Sequence, residues 1–96
     1  MNQIICRAIG ERRLLELHYH GYPRIVEPHV YGKDHHGDDV VRCYQVYGGS
    51  ESGEEVGWKL LKVREISSLH MIETTFSTRR WYQRNDTIIE SILCQV

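Results

Sequence analysis

The sequence lacks a long apolar run, and no stretch approaches the roughly 20 consecutive apolar residues that a membrane-spanning helix needs. The first residues, MNQIICRAIGERR, also lack the apolar core and the small-residue cleavage site of a secretory signal peptide. These two absences predict a protein of the cytoplasm that makes no contact with membranes. The chain has no linker, internal repeat or low-complexity tract, so its 96 residues predict one domain that spans residues 1–96.

Cysteine is scarce, and its spacing does not suit a structural site. The three cysteines, Cys6, Cys43 and Cys94, are odd in number, and no pair has the Cys-x-x-Cys spacing of a zinc or redox motif. In a reducing compartment such cysteines stay as thiols. The pattern therefore predicts reduced, mostly buried thiols, no disulfide, and no bound metal or cofactor.

The chain also lacks a charge excess of either sign, because 12 basic and 13 acidic residues give a formal net charge of −1. That balance argues against a general nucleic-acid-binding protein. The charges are nevertheless segregated: residues 33–57 carry two basic and six acidic groups (−4), whereas residues 58–84 carry six basic and two acidic groups (+4). Nine of the twelve cations are Arg, whose planar guanidinium suits phosphate and carboxylate. A local basic face is therefore expected on a nearly neutral chain.

What the sequence does contain is a series of short β-rich runs. Residues 40–47, 58–63 and 66–72 are rich in the Val, Tyr, Ile and Trp side chains that favour a half-buried pleated surface. Gly, Ser and Glu dominate residues 48–57, and we call this segment the acidic loop. The pattern predicts a β-hairpin with a long polar loop, followed by a further strand.

The N-terminal third predicts one helix and two strands. The apolar residues of 2–13 have helical spacing, whereas residues 14–20 alternate between apolar and polar side chains. Residues 24–31 form the next strand, in which Pro28 marks an edge position or a bulge. Alternation along all these strands predicts a core that contains Leu15, Leu17, Val26, Val30, Leu61, Val63 and Ile66.

Histidine and aspartate occur at two places that allow a metal-binding interpretation. His18 and His20 have the spacing of two ligands on one strand face, and residues 33–39 hold several His and Asp side chains. Solvent-facing strand positions and hairpin-loop chemistry explain the same residues. Because no fixed spacing brings these side chains together, we favour a solvated loop without a functional metal.

The C-terminal quarter allows more than one interpretation. Residues 74–86 interleave Phe76, Trp81 and Tyr82 with arginines, a pattern that can stack on and neutralise nucleic acid. The same pattern can instead hold the aromatic side chains against the body of the protein. Residues 87–96 fit a helix face or a strand face, and their uncharged, apolar end favours a strand.

Three segments carry a family likeness: RIVEP at residues 24–28, VVRCYQV at residues 40–46 and WKLLKVREI at residues 58–66. They resemble the WYL-domain family of bacterial proteins, although the tripeptide that names the family falls at residues 39–41 without its aromatic residues. The resemblance implies a mainly β, Sm-like or SH3-type small β-barrel with an N-terminal helix. It also implies a ligand-binding module of transcription regulation.

Strand parity and the resemblance together select candidate ligand-binding residues. Arg42 shares a strand face with Val40, and Lys59 shares one with Leu61, so both cations are expected among apolar neighbours. Such a cation must reach water, find a partner or await an anionic ligand. We expect the two to approach each other across neighbouring strands, with the acidic loop turned away. The candidate ligand-binding residues are Arg42, Lys59, Tyr44, Tyr47, Arg24, Arg64, Trp81 and Arg84.

The favoured hypothesis is a non-catalytic regulatory module that binds single-stranded nucleic acid or a nucleotide-like anion. The alternative is a protein-interaction module, in which a sheet edge and the C-terminal strand form a homodimer or bind a regulatory partner protein. A metal-dependent hydrolase that uses the His and Asp residues is disfavoured. No nucleophile and base occur in a recognised context, so we assign no catalytic residue.

Overall fold

The structure is a computed structural model that describes residues 2–79, 82 and 86–96. Strands hold more than half of these residues, which confirms the prediction of a mainly β fold with an N-terminal helix. The elements in chain order are α1 (Asn2–Glu11), β1 (Arg13–Tyr19), β2 (Tyr22–Lys33), β3 (Asp39–Gly48), β4 (Gly57–Lys62), a one-turn 3₁₀ helix (Val63–Glu65), β5 (Ile66–Thr75) and β6 (Ser91–Gln95).

The helix α1 packs on the sheet through its apolar stripe, in which Ile5, Ala8 and Ile9 are buried. Arg12 follows with a φ of 52°, and a residue in this left-handed conformation cannot continue a right-handed helix. The helix therefore ends at Glu11, slightly before the predicted residue 13. No helix in the described part of the chain is long and apolar enough to cross a membrane.

The strands form one antiparallel sheet in the order β4-β3-β2-β1-β5, and β6 pairs with the end of β2. The 12-residue β2 pairs with β3 along one side and with β1 and then β6 along the other. Other elements cover both of its faces, and residues 26–32 are all buried. The β2–β3 register shifts between Pro28 and Val30, which confirms the predicted bulge.

The core contains all seven residues that the alternation places there, each no more than 8% exposed. Most of them belong to a large cluster between the helix and the sheet, and Val30 belongs to a smaller cluster with Val40 and Ile89. The C-terminal segment forms the strand β6, as favoured from its apolar end. Val96 continues it by donating its backbone N–H to the carbonyl oxygen of His29 at 2.9 Å.

The prediction of three reduced thiols is wrong for two of them. Cys6 in α1 and Cys94 in β6 form a disulfide, with Cα atoms 5.6 Å apart. Their sequence separation of 88 residues hid this pairing, because only the packing of α1 against β6 brings them together. Cys43 is a buried free thiol, as predicted, and burial raises its pKa to about 12.

Candidate anion-binding site

Arg24 has surroundings that are unusual for a charged side chain. The residue is only 3% exposed, yet no ion pair joins it to a carboxylate within residues 2–79, 82 and 86–96. Its Nη2 donates to the carbonyl oxygen of Tyr19 at 3.1 Å, and its Nη1 donates to Oε1 of Gln45 at 3.3 Å. Its Nε is buried without a hydrogen-bond partner. The guanidinium charge is therefore incompletely satisfied.

Two tyrosine rings flank this guanidinium. Its Cζ lies 5.1 Å from the ring centroid of Tyr19 and 5.8 Å from that of Tyr22, within the range of cation–π attraction. Burial raises the pKa of the Tyr19 phenol, whose oxygen accepts a hydrogen bond from the backbone N–H of Lys62 at 3.0 Å. Tyr22 is 39% exposed and forms the solvent side of the site. Aromatic rings and dipoles, rather than a counter-ion, thus surround the charge.

Gln45 connects Arg24 to the acidic loop. It is fully buried, and its Nε2 donates to the carbonyl oxygens of Gly48, Gly49 and Glu55 at 3.0–3.1 Å. Gln45 is not among the site residues predicted from the sequence. The available signal was strand parity, because a polar side chain at an inward position of β3 requires buried partners.

Two glycines allow the acidic loop to lie close to the site. Gly48 has a φ of 115°, and a Cβ at this position would collide with the carbonyl oxygen of Pro23. A Cβ at Gly49 would collide with the ring of Tyr22. The start of the loop therefore packs directly on Tyr22, Pro23 and Arg24 at the beginning of β2.

The expectation that Arg42 and Lys59 approach each other is wrong. In the β3–β4 pairing, Arg42 is opposite Leu60, whereas Lys59 is opposite Cys43. Directly paired residues point to the same face of a sheet and neighbours in a strand to opposite faces, so the two cations lie on different faces. Each cation does share its face with the apolar residues expected from parity. The sequence does not fix the register across a ten-residue loop, and a shift of one residue exchanges the faces.

The expectation that the acidic loop turns away is also wrong for Lys59. Its Nζ donates to the carbonyl oxygen of Glu54 at 2.7 Å and to the hydroxyl of Ser50 at 3.3 Å. Lys59 therefore holds the loop closed from one face of the sheet, while Gln45 holds the ends of the same loop.

Arg42 is neutralised by its own chain. Its Nε lies 2.7 Å from Oδ2 of Asp86, and both side chains are largely buried. Burial acts to raise the pKa of Asp86, but hydrogen bonds from Arg42 and from the backbone amides of Ile88 and Ile89 outweigh it, so the pKa is lowered. This arginine does not offer an unpaired charge to a ligand.

The candidate residue Tyr44 is covered by Arg79. The guanidinium Cζ of Arg79 lies 4.0 Å from the ring centroid of Tyr44, and its Nε and Nη2 donate to the Glu27 carboxylate at 2.6 and 2.9 Å. The backbone N–H of Arg79 donates to Nε2 of His29 at 3.1 Å, while Nδ1 of His29 donates to the carbonyl oxygen of Glu27 at 2.9 Å. Burial lowers the pKa of His29, which suits these hydrogen bonds to a neutral imidazole.

Aromatic side chains complete the cover over this face. The ring of His29 lies 4.9 Å from that of Trp58 and 5.1 Å from those of Phe76 and Tyr82. The described residues of the segment 74–86 thus contact the body of the protein, as in the second interpretation of that segment.

Two further candidate ligand-binding residues that the structure describes, Tyr47 and Arg64, lie at exposed positions outside the group around Arg24. Tyr47 is 65% exposed, and Arg64 is an exposed residue whose Nη1 lies 3.4 Å from Oδ1 of Asp38. Trp81 and Arg84 lie outside the described residues. The described members of the predicted set therefore do not form one patch.

The His and Asp residues of the 33–39 connection form hydrogen bonds and ion pairs within the chain, and Asp34 stabilises the turn. Oδ1 of Asp34 accepts hydrogen bonds from the backbone N–H groups of His36 and Asp38 at 2.9 and 3.0 Å. His35 instead lies 3.0 Å from a carboxylate oxygen of Glu90. No group of three or more metal-ligating side chains converges in the described part of the chain.

No family model, curated protein or solved structure gives a significant match to this chain. The resemblance to the WYL-domain family therefore stays a prediction.

Proposed function

We propose that this chain is a non-catalytic binding module for a nucleotide-like anion, with Arg24 as its central residue. The observation that carries the proposal is the burial of Arg24 at 3% exposure with an unpartnered Nε–H and no carboxylate partner among the described residues. Holding an unpaired charge away from water costs on the order of several kcal/mol. A bound anion supplies the missing partner.

The chemistry of the surrounding groups supports an oxyanion as ligand. The N–H groups along one edge of a guanidinium match two oxygens of a phosphate or carboxylate. The rings of Tyr19 and Tyr22 flank the same guanidinium and provide aromatic surface beside it. An anion that also carries a planar ring fits both features.

We further propose that the fold is an Sm-like, SH3-type small barrel of the WYL kind. In this proposal the protein regulates transcription by binding its ligand and a partner protein. The observed strand order β4-β3-β2-β1-β5 supports this proposal in one respect, because pairing of the two end strands β4 and β5 would close such a sheet into a barrel. The 3₁₀ turn Val63–Glu65 joins these two strands. The extents of 27, 27 and 25 Å describe a nearly isotropic body rather than a flat layer, which suits a strongly curved sheet.

The groups around Arg24 support binding rather than catalysis. General acids and bases work best with pKa values near the operating pH. Burial instead raises the pKa of the Tyr19 phenol, and it raises that of the Cys43 thiol to about 12. Neither group is poised to transfer a proton or to attack a substrate at neutral pH.

The test is calorimetric titration of the full chain with AMP, UMP and a short single-stranded oligonucleotide at two salt concentrations. We expect saturable binding of at least one of these anions. Arg24→Met should weaken it at least tenfold, whereas Arg7→Gln should not, because Arg7 is exposed on α1 and pairs with Glu11. Arg24→Met should keep or raise the denaturant midpoint, since replacing a buried charge by an apolar side chain is often neutral or stabilising.

Two results would contradict the proposal in different ways. If the wild type binds none of the three anions, the binding function is wrong. If Arg24→Met binds as tightly as the wild type, the function stands and the assigned site is wrong.

A second candidate function is homodimer formation through a sheet edge. In the described part of the chain, β4 pairs only with β3, and β5 pairs only with β1. Each strand therefore offers a row of backbone N–H and C=O groups to a second copy. Pairing of this kind does not use Arg24, so both functions can coexist.

A further inference from the structure

Building on the proposed function, we infer that the ligand is a small molecule with one anionic group and one planar ring, of the size of a nucleoside monophosphate, and not a nucleic-acid strand. The inference rests on three features of the described residues: the distribution of unpaired charge, the position of the acidic loop and the enclosure of Arg24.

The first feature is the shortage of free cations. A single strand of nucleic acid presents a phosphate at every nucleotide, so its binding requires several accessible cations along a groove. Most described basic side chains are instead committed to carboxylates within the chain: Arg7, Arg13, Lys33, Arg42, Lys62, Arg64 and Arg79. Arg24 stands apart as a buried guanidinium without such a partner, and one such group matches one anionic group.

The second feature is the negative charge that surrounds the entrance. The acidic loop carries Glu51, Glu54 and Glu55, all exposed, and it is fastened next to Arg24 through Gln45. Glu65 lies on the same side, where it pairs with His20, which also approaches Glu51 at 3.5 Å. Repulsion from exposed carboxylates acts over roughly 8–10 Å at physiological salt. A polyanion meets this repulsion at every phosphate, whereas a ligand with a single anionic group meets it at one position.

The third feature is that Arg24 is buried beside the acidic loop, and that this loop makes few apolar contacts with the rest of the protein. The side chains of residues 51–56 are exposed, including the 59% exposed Val56, so the loop buries little apolar surface. Hydrogen bonds from the side chains of Gln45 and Lys59 to loop groups hold it in place. Segments with few buried apolar contacts open locally at low free-energy cost. When the acidic loop opens, a compact ligand can enter the site. When the loop closes again, no room is left for a nucleic-acid strand, which would have to continue out of the site on both sides.

The ring of Tyr22 provides an aromatic surface beside Arg24. Tyr22 is partly exposed, lies 5.8 Å from the Arg24 Cζ and packs against Gly49 at the start of the loop. A ligand whose anionic group reaches Arg24 has its remaining atoms beside this ring. A planar ligand ring can stack there, as bases stack on aromatic side chains elsewhere.

The experiment compares four probes on the full chain: AMP, benzoate, inorganic phosphate and a short oligo(dT). Binding is followed by calorimetry and by the shifts of backbone amide NMR signals. We expect AMP or benzoate, which combine a ring with one anionic group, to bind at least tenfold tighter than inorganic phosphate. We expect oligo(dT) to bind no tighter per strand than AMP. Signals of the acidic loop and of Tyr22 should shift, and those of the exposed α1 surface should not.

Two variants locate the contacts. Arg24→Met should weaken binding of all the small anions at least tenfold. Tyr22→Leu should weaken AMP and benzoate about tenfold while leaving phosphate unchanged. Arg7→Gln is the control and should bind as the wild type does.

The possible failures are distinguishable. If oligo(dT) binds more tightly than AMP and its affinity falls steeply with salt, this inference is overturned while the binding function stands. If Tyr22→Leu weakens phosphate as much as AMP, the ring contact is wrong. If no probe binds, the proposed function itself is wrong.

Discussion

Arg24 and Arg79 show two ways of holding a guanidinium against the same sheet. Arg79 is partly exposed and has both a bidentate carboxylate and an aromatic ring, and the hydrogen bond to Glu27 raises its pKa further. Arg24 is more deeply buried and has rings and amide dipoles but no carboxylate among the described residues. The better-paired arginine is thus the more exposed one, which is the reverse of what stability alone favours.

His29 makes stability depend on pH. Its Nε2 accepts a hydrogen bond from the backbone N–H of Arg79, so protonation would place two donors face to face. Burial lowers its pKa; the nearby charges of Arg79 and Arg12 act in the same direction, and that of Glu27 opposes them. Below the ordinary value of 6.5 the unfolded chain binds a proton that the folded chain does not. The free energy of unfolding should therefore decrease as the pH falls from 6.5 towards the lower, folded-state pKa.

The measurement is urea unfolding of the wild type and of His29→Gln between pH 7.5 and pH 5. The stability advantage of the wild type should shrink on acidification, by no more than about 1.4 kcal/mol per pH unit. Other titrating groups, such as His20 beside Glu65, contribute equally to both proteins and cancel in the difference. A difference that stays constant with pH would show that His29 does not titrate in this way.

At the residue level, strand parity predicted which side chains are inward but not which groups they meet. It placed Arg42 with Val40 and Tyr44 correctly, yet the carboxylate that neutralises Arg42 comes from Asp86, 44 residues later in the chain. Such long-range pairs depend on how the segment after β5 crosses the sheet, and no local pattern encodes that path. The same limit hid the bidentate pair of Glu27 and Arg79.

At the scale of elements, the disulfide fastens the two ends of the fold to each other. Within the described sheet, β6 pairs only with the last residues of β2. The helix α1 is held against the sheet by side-chain packing. Cross-linking Cys6 to Cys94 restricts the unfolded chain over a separation of 88 residues. Loops of this length correspond to about 4–5 kcal/mol in the chain-entropy account.

We therefore expect Cys94→Ser to be about 2–5 kcal/mol less stable than the wild type without reductant. Cys6→Ser should lose the same amount, because either change removes the same cross-link. In excess dithiothreitol the advantage of the wild type over both variants should largely disappear. Thiol titration of the unfolded, unreduced wild type should find one reactive cysteine, Cys43. Finding three would show that the chain carries no disulfide.

The predicted and observed strands agree closely where the alternation is strong. The predicted runs 40–47, 58–63 and 66–72 become β3 (Asp39–Gly48), β4 (Gly57–Lys62) and β5 (Ile66–Thr75). Apolar alternation decides where a strand lies, but the register between two strands also depends on the geometry of the turn that joins them. This is why the hairpin was predictable and the relation of Arg42 to Lys59 was not.

For the whole molecule, a homodimer stays a prediction, but its structural basis changes. The apolar C-terminal segment is only partly covered within one chain, since Ile89 and Val96 are buried but Ile88 and Leu93 are 45% and 52% exposed. The unpaired sides of β4, β5 and β6 are the backbone edges that the described sheet offers to a second copy, and β4 and β5 are the two ends of its main strand order. If they pair, amide hydrogen exchange in β4 or β5 should slow as the protein concentration rises.

Mass-spectrometric exchange at two concentrations, together with light scattering, tests this assembly. The interior strand β1 is the internal control, because β2 and β5 already occupy both of its sides. Exchange in β1 should stay unchanged, while one or both edge strands become protected and the scattering mass doubles. A monomer mass at both concentrations, with unchanged exchange in β4 and β5, would exclude edge pairing.

The link between Cys6 and Cys94 also decides how the protein responds to mechanical load. A pulling force applied to the chain outside residues 6–94 passes from α1 directly into β6 through one covalent bond. Strands β1 to β5, the acidic loop and the Arg24 site lie outside this route and carry no tension. In an optical trap the oxidised protein should therefore show no unfolding step, whereas reduction should release the length of the enclosed chain in a single event. Tension therefore unfolds the enclosed chain only after the disulfide is reduced.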